Sequence, residues 1–176
     1  MADNMQYGED VKVRPMKAED LGLVLDWRNH PDVRRYMYTQ HKISLEEHRT
    51  WFSNAAKDNK KHLLIYEYNK SPFGFVNFNE IARGKIFDWS FHLAPDAPRG
   101  TGSKLGRAAL YHVFTYLQAH KLCGQVLSYN EKSINFHKRL GFSDEGVLRE
   151  QFFDGQNYHS VHCFGLLFSE WSELGF

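Results

Sequence analysis

Two cysteines and five prolines in 176 residues are too few for several kinds of protein. Cys123 and Cys163 stand apart, without the spacing of a disulfide framework or a zinc site, and read as reduced thiols in a cytoplasmic setting. No apolar run approaches the ~20 residues that a membrane span requires. The polar, acidic start from Met1 to Asp10 lacks the apolar stretch of a signal peptide. An excess of one charge is also missing: 22 Lys and Arg offset 21 Asp and Glu. Without a basic run, the electrostatic footprint of a nucleic-acid binder is absent. The ten histidines are scattered and show no metal-ligand spacing such as His-Glu-x-x-His, so no metal is expected.

Aromatic residues are plentiful, with 14 Phe, 9 Tyr and 4 Trp, and most must be core because rings carry much of the burial energy of a small domain. Length and the lack of linkers, repeats or low-complexity segments give a single α/β domain over residues 1–176, with 1–10 as a polar N-terminal extension. Val11 to Pro15 alternates as a strand. A helix carrying Leu21, Val24, Leu25 and Trp27 follows, and Pro31 closes it. Ser44 and Glu47 fit a capping box that opens a second helix towards Lys57. Strands are predicted at 62–68, 73–80 and 86–93, with a turn over Asn69 to Pro72. A long helix starts after Pro98 and ends near Lys121. A strand at 125–129, a helix at 133–140 with Ser133 as N-cap and Gly141 as stop, and strands at 142–151 and 158–168 complete the chain.

The most telling stretch is Arg99-Gly100-Thr101-Gly102-Ser103-Lys104, between the strand at 86–93 and the long helix. A glycine-rich turn at a helix start presents unpaired backbone N–H groups to an anion, which suits a pyrophosphate. Its setting resembles motif A of the GCN5-related N-acetyltransferase (GNAT) family, usually Arg/Gln-x-x-Gly-x-Gly/Ala. Here Lys104 departs from the small residue expected, and either contacts a phosphate or points to solvent. A second family pattern is matched by Asn130-Glu131-Lys132-Ser133-Ile134-Asn135-Phe136-His137-Lys138-Arg139-Leu140-Gly141-Phe142, with His137 where the family has Tyr.

The resemblance implies a GNAT fold: a mixed, mostly antiparallel sheet of about seven strands flanked by about four helices. It implies acetyl-CoA as co-substrate, held by Leu93, Arg99, Gly100, Thr101, Gly102, Ser103, Lys104, Asn130, Ser133 and Arg139. In the family the Tyr at the place of His137 often protonates the departing thiolate. A histidine can serve there near neutrality, or it can be a packed residue with the acid role elsewhere. His92, Ser90, Glu80 and Asn77 are candidates for relaying the proton from the amine, and none is singled out.

The acceptor side belongs to the N-terminal third. Trp27-Arg28-Asn29 with a downstream Glu47-His48-x-x-Trp51-Phe52 resembles the GNAT branch of pseudaminic acid biosynthesis. That branch acetylates the 4-amino group of a UDP-linked amino-deoxy sugar in the bacterial cytoplasm, for the glycans of flagellin. By that resemblance Trp27, Arg28, Asn29 and His48 bind the sugar nucleotide, with Arg28 forking onto its diphosphate and Trp27 or Tyr38 stacking on a ring. A polyamine, a ribosomal-protein N-terminus, or a non-catalytic acyl-CoA sensor are the alternatives, and a homodimer is left open. The cations Arg28, Arg34 and Arg35 favour an anionic acceptor.

Overall fold

The structure is a computed structural model that describes Met5–Gln6 and residues 10–175; the rest of the polar N-terminal extension lies outside the described residues. One sheet organises it. In chain order the strands are β1 (Met5–Gln6), β2 (Val11–Pro15), β3 (Lys61–Tyr68), β4 (Ser71–Ala82), β5 (Ile86–Leu93), β6 (Lys121–Leu127), β7 (Ser143–Phe153) and β8 (Tyr158–Leu167). They lie side by side as β1-β2-β3-β4-β5-β6-β8-β7. Every neighbouring pair is antiparallel except β5 and β6, which run parallel. The expected mostly antiparallel sheet is present, with the two-residue β1 as an added edge.

The helices are α1 (Leu21–Asn29), α2 (Pro31–Arg34), α3 (Leu45–Ala55), α4 (Thr101–Tyr111), α5 (Glu131–Arg139) and α6 (Phe168–Glu173). Alternation along the strands sends side chains to two faces. Val76, Phe78, Phe87 and Trp89 join the larger core, which includes Leu105 and Leu110 of α4 and Phe136 of α5. Phe75 and Ile65 face the other way, onto Val24 and Trp27 of α1. Among the described residues no helix is long and apolar enough to cross a membrane.

Several boundaries differ from the sequence reading. Pro31 starts α2 rather than merely ending α1, since a proline at the first helical position gives up an amide that has no intrahelical partner anyway. The turn between β3 and β4 is Asn69-Lys70, both at positive φ (49° and 64°), so Ser71 and Pro72 already belong to β4. The helix after the glycine turn leaves regular α geometry after Tyr111 and widens into a π turn over His112–Tyr116. β6 consequently begins at Lys121, four residues before the expected strand. Phe168, expected as the last residue of the final strand, instead opens α6, a helix the sequence reading does not contain. Asn130, not Ser133, caps α5, its side chain accepting from the Ser133 amide at 3.2 Å.

Candidate active site

The parallel pair β5–β6 is joined by only three registered positions: Ile86 with Lys121, Phe87 with Leu122 and Asp88 with Cys123. Beyond Asp88 the strands part, while β5 stays paired to β4 as far as Leu93. A V-shaped slot follows between Trp89–Leu93 and Gly124–Leu127. At the open end of β5 the chain turns through Gly100, in the left-handed region at φ 87°, into α4. Thr101 pins the turn, its hydroxyl and amide both donating to the Pro98 carbonyl (2.7 and 3.1 Å). The first-turn amides of Gly102 and Ser103 are therefore presented outward, where an anion is favoured. Leu93 packs on Gly102: a Cβ there would lie 3.6 Å from the Leu93 Cδ1. Arg99 and Arg139 are exposed. Lys104 does not turn toward this helix end; its ammonium lies 3.8 Å from the centre of the Tyr68 ring, a cation–π contact that accounts for the departure from a small residue.

His137 is 2% exposed. The carbonyl of Ser133 lies 2.8 Å from its Nδ1, which fixes the ring proton there, and Nε2 accepts from the indole N–H of Trp89 at 3.2 Å. Burial pushes its pKa down to about 4. Phe91, Phe136, Phe142 and Phe164 surround the ring. Both nitrogens are thus engaged inside the core, and neither offers a proton to the slot. Of the two readings the sequence left open, the geometry fits the packed histidine.

On the other face of the sheet lies a cavity of about 340 Å³, lined by Val24, Arg28, Met37, Tyr38, Thr39, Ile43, Glu47, His48, Trp51, Phe75, Asn77, Ser90 and His92. Four buried polar atoms on its wall have no partner among the described residues: Arg28 Nη1, His48 Nε2, His92 Nε2 and Asn77 Oδ1. Buried polar atoms are normally satisfied, so a cluster of four facing one cavity marks a place built for a polar ligand. His92 is held neutral, its pKa pushed down to about 3 by burial and then by Arg28 and His48. His48 moves the same way, by burial first. Arg28 therefore carries the fixed positive charge of the wall, and Glu47, engaged by His41 at 3.1 Å, is its one lining carboxylate.

The Trp27-Arg28-Asn29 run divides its labour. Trp27 is 5% exposed within the smaller core, between Met16, Ile65 and Phe75, so the expectation that it stacks on the acceptor does not fit its placement. Asn29 clamps the backbone of Ile43 in both directions, donating to its carbonyl (2.9 Å) and accepting from its amide (2.8 Å). Arg28 donates through Nη2 to the Thr39 carbonyl at 2.9 Å. Together they fasten the 35–43 segment as the cavity's outer wall. Two tyrosines tie the same segment to the far side of the slot. Tyr38 donates to Gln125 of β6 at 3.0 Å, and Tyr129 donates to the Arg35 carbonyl at 2.9 Å while accepting from Gln40.

Of the four candidates for the proton relay, His92, Ser90 and Asn77 line the cavity; Glu80 does not. It pairs with Phe87 and faces the opposite side, near Lys85 at 3.6 Å. Met37, Thr39 and Ile43 line the cavity without a motif that marks them, because a loop wall is defined by its fasteners rather than by its own sequence.

A family model described as an acetyltransferase (GNAT) domain matches residues 10–143. The chain belongs to the GNAT acetyltransferase family. As a GNAT enzyme it is an N-acetyltransferase. It is 27% identical over 159 residues to spermidine N(1)-acetyltransferase of Escherichia coli, covering 89% of this chain and 86% of the relative. It is 28% identical over 129 residues to acetyltransferase PseH of Campylobacter jejuni, covering 73% and 80%. Among solved structures, spermidine N-acetyltransferase of Vibrio cholerae in complex with CoA and spermine superposes with a TM-score of 0.86 at 24% identity, over 94% of this chain and 99% of that one. At that identity the likeness speaks for the fold.

Proposed function

We propose that this GNAT enzyme transfers acetyl from acetyl-CoA to the 4-amino group of a UDP-linked amino-deoxy sugar in a pseudaminic acid pathway. The observation that carries the reading is Arg28 Nη1, a buried and unpartnered guanidinium N–H on the acceptor cavity. A buried N–H donor left without an acceptor is costly, and a phosphate oxygen satisfies it with a charge-assisted bond. The similarity to acetyltransferase PseH supports this branch. The similarity to spermidine acetyltransferases supports a polyamine instead. A polyamine, with several positive charges, would meet Arg28 and the single lining carboxylate Glu47, an unfavourable balance.

The slot residues fit the co-substrate. Gly102 and Ser103 amides would hold its pyrophosphate, and Asn130 and Ser133 would border its pantetheine arm. Acetyl-CoA supplies an activated thioester with a thiolate leaving group. The neutral amine attacks the acetyl carbonyl, and negative charge develops on its oxygen. A backbone N–H on the parted stretch Phe91-His92-Leu93 is positioned to stabilise that charge. Arg28 and His48 orient the acceptor, with Tyr38 offering a ring face at the mouth. Holding both reactants in place supplies much of the rate.

Release of the CoA thiol tests the reading with a panel of the UDP-4-amino sugar, spermidine and a peptide amine. The expected result is a kcat/KM for the sugar nucleotide at least ~100-fold above the others. Turnover of spermidine or the peptide with none of the sugar overturns it.

A further inference from the structure

The acceptor amine must shed its ammonium proton before it can attack, and none of the groups on the cavity wall is well suited to take it. His92 and His48 are pushed down by burial, and Arg28 is a cation. Glu47 is engaged by His41. One rung further along the same face of the sheet lies a group outside the cavity lining. In the antiparallel ladder of β4 and β5, Asn77 is registered with Ser90 and Asn79 with Asp88. Strand side chains two apart share a face, about 6.6 Å apart along the strand. Asn77 and Ser90 line the cavity, so Asn79 and Asp88 form the next rung. Asn79 Nδ2 donates to Asp88 Oδ1 at 2.9 Å. Asp88 is also the last β5 residue registered with β6, which puts it at the apex of the slot.

The two asparagines carry a second, independent mark. Asn77 Oδ1 and Asn79 Oδ1 are both buried without a partner. Two such acceptors in succession require donors between them, and bridging water is the group that meets that requirement in a polar strip. From the acetyltransferase activity of this fold, we propose that Asp88 is the proton sink of the reaction, reached from the acceptor amine through the Asn77–Ser90 and Asn79–Asp88 rungs. The ammonium gives one proton along this strip to the Asp88 carboxylate. The freed amine lone pair forms the C–N bond, the C–S bond breaks with its electron pair on sulfur, and the second nitrogen proton goes to the thiolate. Asp88, half-buried, returns its proton to solvent.

The groups facing Asp88 are Asn79 from β4, Lys61 from β3 and Cys123 from β6, with Lys121, Glu145 and Cys163 beyond Cys123. Burial raises the carboxyl pKa, and Asn79 and Lys61 oppose that rise in part. A raised carboxyl is a better base, and it stops accepting as pH falls through its pKa, so activity should show an acid limb set by Asp88.

The test is the pH dependence of kcat, measured with whichever of the UDP-4-amino sugar and spermidine the wild type acetylates. Asp88→Asn should lower kcat ~100-fold or more, within the range for loss of a positioned base. It should abolish the acid limb and leave the KM for acetyl-CoA unchanged. Asp88→Ala should regain activity in added formate. Asn79→Leu, which keeps the carboxylate but cuts the strip, should lower kcat ~10-fold, and it serves if Asp88 variants do not fold. Wild-type kcat and pH profile in Asp88→Asn, or in Asn79→Leu, overturn the proposal. Turnover of spermidine alone overturns the sugar-nucleotide reading while the Asp88 profile is still decided on spermidine. Turnover of neither amine overturns both.

Discussion

The indole N–H of Trp89 on β5 donates to Nε2 of His137 on α5 across the point where β5 and β6 part. Removing the imidazole strands the indole N–H in the core, a loss of about 1–3 kcal/mol. His137→Phe should show that loss as a lower urea midpoint. The pH dependence of kcat should remain that of the wild type, because His137 hands no proton to the slot. A lost basic limb in this variant would restore the histidine as the general acid.

Gly124 is what makes room for this bond. A Cβ at Gly124 would lie 2.7 Å from His137 Nε2 and 3.1 Å from Trp89 Nε1. Gly124→Ala should cost about 1–3 kcal/mol by overpacking. Adding His137→Ala should make the double variant more stable than the summed single losses by about 1 kcal/mol or more. Strict additivity in a denaturation cycle would show that the glycine is there for another reason.

Arg28 should govern the acceptor alone. Arg28→Ala is expected to raise the KM for the sugar nucleotide roughly 10- to 100-fold, the value of a hydrogen bond to a charged group. The KM for acetyl-CoA should change less than twofold. Arg28→Lys should not restore it, since a single ammonium cannot reach both Thr39 and the ligand as the planar fork does. Equal weakening of both substrates would assign Arg28 to the fold.

Asn29 should act at a distance from the ligand. Its two bonds to Ile43 are together worth about 1–3 kcal/mol. Asn29→Ala should speed amide hydrogen exchange across residues 36–43 and raise the acceptor KM, with secondary structure unchanged by circular dichroism. Unaltered exchange in that segment would remove the clamp.

Acid should unfold this protein early. His92 and His137 are buried and His112 half-buried, and desolvation pushes their pKa values down to about 3, about 4 and about 4. Unfolded, each titrates near 6.5. Above that pH the neutral folded form is at full advantage. As pH falls from 6.5 to about 4 the unfolded chain binds more protons, and stability drops by up to about 1.4 kcal/mol per unit for each histidine. His112→Phe should remove its own share of the fall in unfolding free energy over this window, up to about 1.4 kcal/mol per pH unit. A flat profile in the wild type would contradict the buried neutral state.

The positions of most strands were legible because alternation is a local signal: β2, β3 and β5 fall within a residue of their sequence reading. The glycine turn was legible for the same reason, since only a left-handed residue at Gly100 makes it. What failed was information held elsewhere in the fold. Trp27 belongs to a core built from β3 and β4, and nothing beside it in the chain distinguishes a buried indole from a stacking one. His137 sits where the family carries its acid, yet its roles are fixed by Trp89 and Gly124, far away in sequence. Asp88 carries no local mark as a strand residue; its proposed role rests on the β4–β5 register and on where β6 departs.

Three registered pairs, Ile86–Lys121 to Asp88–Cys123, are the whole β-ladder between a five-stranded leaf, β1 to β5, and a three-stranded one, β6 to β8. A molecule lodged between the leaves therefore does more than react. It splices them, replacing with its own contacts the backbone pairing that the strands forgo. On the proposed placement of acetyl-CoA in the slot, binding should stiffen the seam between the leaves and raise the melting temperature with co-substrate concentration.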